Sequence, residues 1–366
     1  MKTTLLCIAH LLTYSLLLGQ TVTTITEGAF SDGLAIDDQG NLYGSDFGGD
    51  SVYKYDINGD VTVFKNGFVS PNGIALDPQG NIYICDHFGN TLYKYDSEGV
   101  ELATFSEVIT PAGIQNIPGT NDMIIVGYSS NTVNILDNDD GSITELVSEG
   151  LLNGPAGIAF VNDQIFIANF LDRKVLRLDG QTLVEIAQLP AGASQTNFLG
   201  FLTSFGGQLY ATQIGEGKIY RIDPVSGDFE VFAGSVTGNN DGPLETATFN
   251  RPNGILGDEA NNRIYVSDAG SKNLRIIEGI SLGLENREDP SLGVVLTPNP
   301  GRDEVRLISD ETIIEVWVYN ALMKKLTEIK GDNLTHMVTN GWSTGAYWVK
   351  MITEEGKSIT KKILIH

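Results

Sequence analysis

One short motif recurs six times along the chain. In each copy a glycine opens an apolar run, and a turn separates this run from a second one. The second copy, Pro71–Asp86, reads PNGIALDPQGNIYICD. The glycines that open the copies, termed here the marker glycines, lie 40, 40, 44, 43 and 54 residues apart and are Gly33, Gly73, Gly113, Gly157, Gly200 and Gly254. A fixed period of this length is the signature of a repeat architecture.

Each copy of the motif begins a unit that holds four short β-runs. In the second unit these runs are Gly73–Leu76, Asn81–Cys85, Thr91–Tyr95 and Glu101–Phe105. Turn residues such as Gly, Pro, Asn and Asp separate the runs. Four antiparallel strands in each unit of about 40 residues are typical of a propeller blade. We therefore predict an all-β fold, a six-bladed β-propeller over residues 21–280.

The two ends of the repeat region complement each other. The sixth unit supplies only three runs, at Gly254–Gly257, Arg263–Ser267 and Leu274–Ile277. The segment Thr21–Thr26 is rich in β-branched residues and precedes the first marker glycine. We predict that this N-terminal strand completes the sixth blade and closes the ring, which removes an exposed strand edge.

These units resemble NHL repeats. The resemblance rests on units such as Pro71–Asp86 with Asn90, and on the insertion Ala233–Gly254 before the last blade. It covers roughly residues 21–279 and implies a propeller fold. It does not select one activity, because propellers of this family include both enzymes and binding proteins.

The N-terminus has the layout of a secretory signal peptide. Lys2 precedes an apolar run that ends near Gly19, so we predict that residues 1–20 are removed on export. No later segment approaches the roughly 18 apolar residues of a membrane helix. Cys7 would leave with the signal, and Cys85 is predicted to be a buried strand thiol.

A polar linker, residues 281–290, precedes a tail at residues 291–366. The tail is predicted to be a small β-sandwich because short apolar runs alternate with turns. Strands are predicted at Glu304–Ile308 and Ile313–Tyr319. The order of the tail, Leu296-Thr-Pro-Asn-Pro300, then these strands, then Gly345-Ala-Tyr and a Lys-Lys-apolar end, resembles the type A sorting domain of the type IX secretion system of Bacteroidetes. One departure is Tyr319–Lys325, which lacks the usual turn glycine. The resemblance implies passage through that secretion machinery to the medium or the cell surface. A carbohydrate-binding or adhesive sandwich is the alternative.

Negative charge is concentrated in the repeat region. Residues 21–290 hold 37 acidic and 13 basic side chains, whereas the tail is balanced at nine of each. A segment with this excess of negative charge repels nucleic acid and anionic membranes. The charge is compatible with solubility outside the cell and with cation binding.

One candidate site lies just before the marker glycines, at the end of the central channel. Three of these six positions carry side-chain oxygens, namely Asp32, Asn72 and Asn253, and they belong to adjacent blades once the ring closes. Hard cations such as Ca²⁺ favour oxygen ligands of this kind. The set is similar to the metal site of gluconolactonase-like (SMP-30) propellers, which implies lactone hydrolysis, but the glutamate of that family is missing here. The alternative is that Asp and Asn serve the turn before the glycine.

A second candidate site follows the second strand of four consecutive blades. Aromatic or imidazole side chains stand there, and Phe88 lies beside one of them; the five residues are Phe47, His87, Phe88, Tyr128 and Phe170. We predict a ligand-binding rim, since aromatic rings supply rigid apolar contact. Packing between blades is the alternative. The preceding polar residues, such as Asp86 and Asp268, are predicted to hold neighbouring loops.

The scarcity of histidine excludes some enzyme classes. Within the ring, His87 is the one histidine, so a multi-histidine zinc site is excluded. The sequence favours a secreted or cell-surface propeller that binds a small-molecule, peptide, protein or glycan partner, and no nucleic acid, through its channel face. The alternative is a lactonase or related hydrolase that depends on Ca²⁺ or another divalent cation.

Overall fold

The computed structural model describes residues 20–148, 150–193, 197–280, 293–319, 325–354 and 358–365. All the regular structure in these residues is β, as predicted. The predicted signal peptide and linker lie outside the described residues. Among the described residues, no helix is long and apolar enough to cross a membrane.

The first three units each form a four-stranded antiparallel sheet. The strands of blade one are β2 (Leu34–Ile36), β3 (Leu42–Ser45), β4 (Ser51–Tyr55) and β5 (Val61–Asn66). Those of blade two are β6 (Pro71–Leu76), β7 (Ile82–Asp86), β8 (Thr91–Tyr95) and β9 (Glu101–Phe105). Those of blade three are β10 (Pro111–Asn116), β11 (Met123–Gly127), β12 (Thr132–Leu136) and β13 (Ile143–Ser148).

The next two units repeat this sheet, and the sixth unit extends it. Blade four holds β14 (Pro155–Val161), β15 (Gln164–Asn169), β16 (Lys174–Asp179) and β17 (Thr182–Gln188). Blade five holds β18 (Leu199–Phe205), β19 (Gln208–Gln213), β20 (Lys218–Ile222) and β21 (Phe229–Ala233). Blade six holds β23 (Pro252–Asp258), β24 (Arg263–Asp268), β25 (Asn273–Glu278), β1 (Thr21–Thr26) and the short outer strand β22 (Gly242–Pro243).

The N-terminal strand β1 is the fourth strand of blade six. It pairs antiparallel with β25, where Val22 lies opposite Ile277. The insertion before blade six adds β22 on the outer side of β1. The first and last segments of the repeat region therefore share one sheet.

The marker glycines lie where innermost strands of neighbouring blades approach closely. A Cβ atom on Gly73 would overlap the carbonyl oxygen of Ala112 in the next blade. A Cβ atom on Gly254 would overlap the carbonyl oxygen of Asp32, so blade six meets blade one in the same way. The recurring glycine is thus required by backbone contact between blades.

The core of the ring lies between adjacent blades. One buried cluster joins Tyr83 and Cys85 of blade two to Ile114 and Met123 of blade three. Burial raises the pKa of the Cys85 thiol. The predicted buried strand thiol is confirmed, and this cysteine is free.

The tail consists of two sheets around one apolar cluster. The strands are β26 (Val295–Thr297), β27 (Glu304–Ile308), β28 (Ile313–Tyr319), β29 (Lys325–Lys330), β30 (His336–Val338), β31 (Gly345–Thr353) and β32 (Ser358–Ile365). Both β27 and β28 have the bounds that the sequence predicts. The sequence pattern missed β26, β29 and β30, of which β26 and β30 span only three residues each.

Candidate ligand-binding face

One face of the ring carries two sets of loops. The turn after the second strand of a blade is tied to the loop that enters the same blade. The backbone N–H groups of His87, Tyr128 and Phe170 donate to the carbonyl oxygens of Ser70, Thr110 and Gly154 at 2.8–2.9 Å. This face, termed here the loop face, contains the predicted aromatic residues.

The aromatic residues form a continuous line of ring contacts across the loop face. Ring centroids are 5.6 Å apart for Phe47 and His87, and 5.3 Å apart for His87 and Tyr128. The line continues from Tyr128 to Phe170 at 5.8 Å, while Phe88 lies 4.8 Å from His87. The five predicted residues are therefore brought together, and most pairs meet edge to face, a favourable arrangement for aromatic rings.

The line extends to one residue that the sequence did not indicate. Phe198 stacks on Phe170 with ring centroids 4.6 Å apart and planes 15° apart. It precedes β18 in a loop, outside the repeated position after a second strand. We term the six residues the aromatic arc: Phe47, His87, Phe88, Tyr128, Phe170 and Phe198.

The side chains of the arc pack between the blades and are also partly exposed at the surface. Tyr128 and Phe170 pack against a buried cluster of blades three and four. Phe88 is 59% exposed, and Phe47, Tyr128, Phe170 and Phe198 are partly exposed. Rings held by a core below and open to solvent above form a rigid contact surface.

His87 is the buried member of the arc, and its surroundings define its protonation state. It is 5% exposed, and its Nδ1 atom is 3.3 Å from the carbonyl oxygen of Pro111. A carbonyl only accepts, so Nδ1 carries the hydrogen. Burial lowers the pKa of His87 below its usual value, although the Pro111 carbonyl and Asp86 oppose this. The neutral ring therefore keeps an acceptor lone pair on Nε2.

We expect His87 to titrate below pH 6.5, its unperturbed pKa. Its neutral form stabilises the fold above that pH, and this contribution is lost as pH falls through the lower folded-state pKa. Imidazole NMR signals, assigned with His87→Phe, measure the pKa directly. Relative to that variant, the wild-type chain should lose stability as the pH falls below about 6.5. A midpoint above 6.5 would contradict the buried, neutral ring.

Polar residues at the ends of the second strands hold the loops of this face. The Asp86 carboxylate accepts from the backbone N–H groups of Val69 and Ser70 at 2.7–3.1 Å. The Asn169 side chain donates instead to the carbonyl oxygen of Leu151 at 2.7 Å. These contacts agree with the predicted structural role of the two positions.

The structure brings two of the three predicted metal ligands into contact. The Asn253 Nδ2 atom donates to Asp32 Oδ1, and Ser31 Oγ donates to Asp32 Oδ2 at 3.1 Å. Burial raises the pKa of Asp32 to about 8. Asn72 is 9% exposed, and its Oδ1 atom has no hydrogen-bond partner among the described residues.

These three side chains do not form a cation coordination shell as they stand. The amide nitrogen of Asn253 faces the single carboxylate, whereas a Ca²⁺ site directs several oxygens at one point. Among the described residues, no group of three His, Cys, Asp or Glu side chains could hold a metal ion. The arrangement observed is a polar network between blades six and one.

The centre of the ring is narrow. It encloses a cavity of about 10 Å³, enough for about one water molecule. The residues that line it include Gly33, Ile74, Ile114, Ile158, Phe201 and Ile255. This cavity is too small for a ligand larger than a water molecule.

Repeated four-stranded sheets around such a channel define a β-propeller. Residues 296–366 match the family described as the secretion system C-terminal sorting domain, which confirms the resemblance of the tail to a sorting domain. No curated protein sequence gave a significant match.

Solved structures show the same fold at low sequence identity. An auxiliary nutrient binding protein from Bacteroides thetaiotaomicron has a TM-score of 0.60 and 17% identity, covering 70% of this chain and 76% of that one. One from Bacteroides ovatus has a TM-score of 0.60 and 15% identity, covering 71% and 76%. A gluconolactonase from Xanthomonas campestris has a TM-score of 0.55 and 17% identity, covering 70% and 89%. At such identities the likeness shows the propeller fold alone.

Proposed function

We propose that this protein is an exported propeller that binds a ligand or partner through the aromatic arc. The observation that carries the proposal is the unbroken line of ring contacts from Phe47 to Phe198 on one face. Rigid aromatic side chains supply large contact area with little loss of conformational entropy. The nutrient-binding proteins of like fold are compatible with such a role.

The sorting tail supports the export part of the proposal. A domain of this family directs a chain to a secretion system. We propose the type IX machinery as the partner of the tail, with a signal peptide at residues 1–20, and release to the medium or attachment at the cell surface. The excess of acidic residues in the ring suits a soluble extracellular protein.

The binding proposal is tested by hydroxyl-radical footprinting of the full mature chain. Sugars, glycans, peptides and nutrient mixtures are added in turn, and oxidation of Phe88 and Tyr128 is followed by mass spectrometry. A true ligand should protect these two residues and leave Tyr55, on the outer part of blade one, unchanged. Protection should be lost in Phe88→Ala. Ligands that protect only residues away from the arc would reject the proposal.

A second candidate, a divalent-metal-dependent lactonase or hydrolase, is favoured by one observation. The buried Oδ1 atom of Asn72 lacks a hydrogen-bond partner among the described residues, and a cation or a water could supply one. Calorimetric titration with Ca²⁺, Mg²⁺ and Zn²⁺, beside Asn72→Ala/Asn253→Ala, tests this candidate. Saturable binding that the double variant loses would support a metal site. Unchanged binding, or none, would reject it.

A further inference from the structure

The aromatic arc is surrounded by exposed apolar side chains. Five of them, termed here the apolar patch, are between 37% and 63% exposed and are Val69, Phe88, Ile109, Leu151 and Leu171. All five stand in loops of the loop face, between blades one and four. Exposed apolar residues gathered on one surface are characteristic of interaction sites.

Contacts in the loops join the patch to the arc. The Ser70 hydroxyl, next to Val69, donates to the carbonyl oxygen of Phe47 at 3.0 Å. A Cβ atom on Gly154 would meet both Tyr128 and Leu171 within 3.2 Å, so these two side chains pack against the same glycine of the loop that enters blade four. The patch and the arc therefore form one surface.

Two cavities of the described residues, one inside the ring and one beside β26 and β27, lie away from this surface. Small ligands are usually held in concave pockets that bury most of their surface. Broad surfaces rich in aromatic and apolar side chains are instead typical of protein–protein interfaces.

Charge restricts the kind of protein that fits. Asp50, Glu107 and Asp172 stand within a few residues of the arc or the patch. Arg173, two residues after Leu171, directs its guanidinium to the backbone carbonyl oxygens of Leu171 and Asn197. Lys272 is paired with Asp46, the residue before Phe47, at 2.7 Å. A second copy of this chain is disfavoured because residues 21–290 hold 37 acidic side chains against 13 basic ones.

From these observations we infer that the apolar patch and the aromatic arc bind a protein partner through an apolar segment flanked by Lys or Arg. This inference rests on the proposed binding function and specifies its ligand. Apolar contact supplies the affinity, and the acidic border favours basic partners and speeds their association.

The test uses the full mature chain and three sets of synthetic peptides of about 12 residues, each immobilised. The first set combines Leu and Phe with Lys and Arg, the second replaces Lys and Arg with Glu, and the third replaces Leu and Phe with Ser. We expect the first set to bind at least about tenfold more tightly than either other set. Added salt should weaken this binding.

Two variants locate the binding. Phe88→Ser/Ile109→Ser should reduce binding of the first set by about tenfold or more. Ile57→Ser/Val225→Ser removes side chains that are 71% and 86% exposed in turns of the opposite face, and it should leave binding unchanged. Circular dichroism checks that both variants fold.

Three outcomes overturn the inference. They are equal binding of the second or third set, equal loss in both variants, and absence of peptide binding altogether. A glycan or small molecule that protects the arc in footprinting, without peptide binding, would leave the proposed binding function intact and reject only the protein partner. Failure of every ligand class would reject both.

Discussion

Replacing Arg275 with leucine is expected to destabilise the propeller by about 3–5 kcal/mol. The Arg275 side chain is fully buried, and its guanidinium lies 3.0 Å from the Asp268 carboxylate and 2.7 Å from that of Asp241. It also donates to the carbonyl oxygen of Thr248 at 3.0 Å. Asp241 in turn accepts from the backbone N–H of Thr24 in β1 at 3.0 Å. Removing the arginine leaves a buried carboxylate unpaired and loosens the insertion and β1 together.

The loss should depend on pH in a defined direction. Burial raises the pKa of Asp268 to about 6 even though Arg275 opposes this shift, and the arginine's removal should raise it further. A raised folded-state pKa favours folding at low pH, and that contribution is lost as pH rises through it. The free energy of unfolding of Arg275→Leu, measured in urea, should therefore be lower near pH 8 than near pH 5.

Two matched variants distinguish the stability lost by breaking the buried ion pair from the stability lost by removing any arginine side chain. Arg221→Leu breaks a partly exposed pair with Glu230 and should cost about 1 kcal/mol or less. Arg275→Leu/Asp268→Leu removes both buried charges and should recover much of the loss. If Arg275→Leu costs no more than Arg221→Leu, the buried network does not hold blade six together.

The strands of the propeller are predictable because each blade repeats the same local pattern. Alternating apolar residues and turn residues place β8 and β9 at Thr91–Tyr95 and Glu101–Phe105, the bounds that the structure has. The tail offers no such repetition. Half of the residues in its strand β29, Lys325–Lys330, are charged, and this strand is defined by its pairing with β28 rather than by its own pattern.

The candidate site was predictable where the repeat governs it. Four arc residues occupy the position after a second strand, so the period of the repeat alone aligned Phe47, His87, Tyr128 and Phe170. The sequence did not predict Phe198 as part of the site, because this residue lies in an inter-blade loop whose course depends on tertiary contacts. Likewise, the spacing placed Asp32 and Asn253 in adjacent blades, but the hydrogen bond between their side chains depends on side-chain orientation, which the repeat does not encode.

The marker glycines give the second large expected effect. Gly73→Ala should destabilise the chain by about 3 kcal/mol, since its Cβ would overlap a backbone carbonyl that cannot move independently of its strand. Gly48→Ala is the matched control, because an added Cβ there meets no heavy atom within 4 Å. That substitution should be neutral or slightly stabilising in urea unfolding.

Gly254→Ala extends the same experiment to the junction of the first and last blades. Its Cβ would overlap the carbonyl oxygen of Asp32, which also accepts from Ser267 Oγ at 2.7 Å. In a closed ring this junction is as tight as the others, so the loss of stability should equal that of Gly73→Ala. A loss no larger than that of Gly48→Ala would mean that blades six and one do not meet in solution. The aromatic arc would then have no closed ring beneath it to hold its side chains in place.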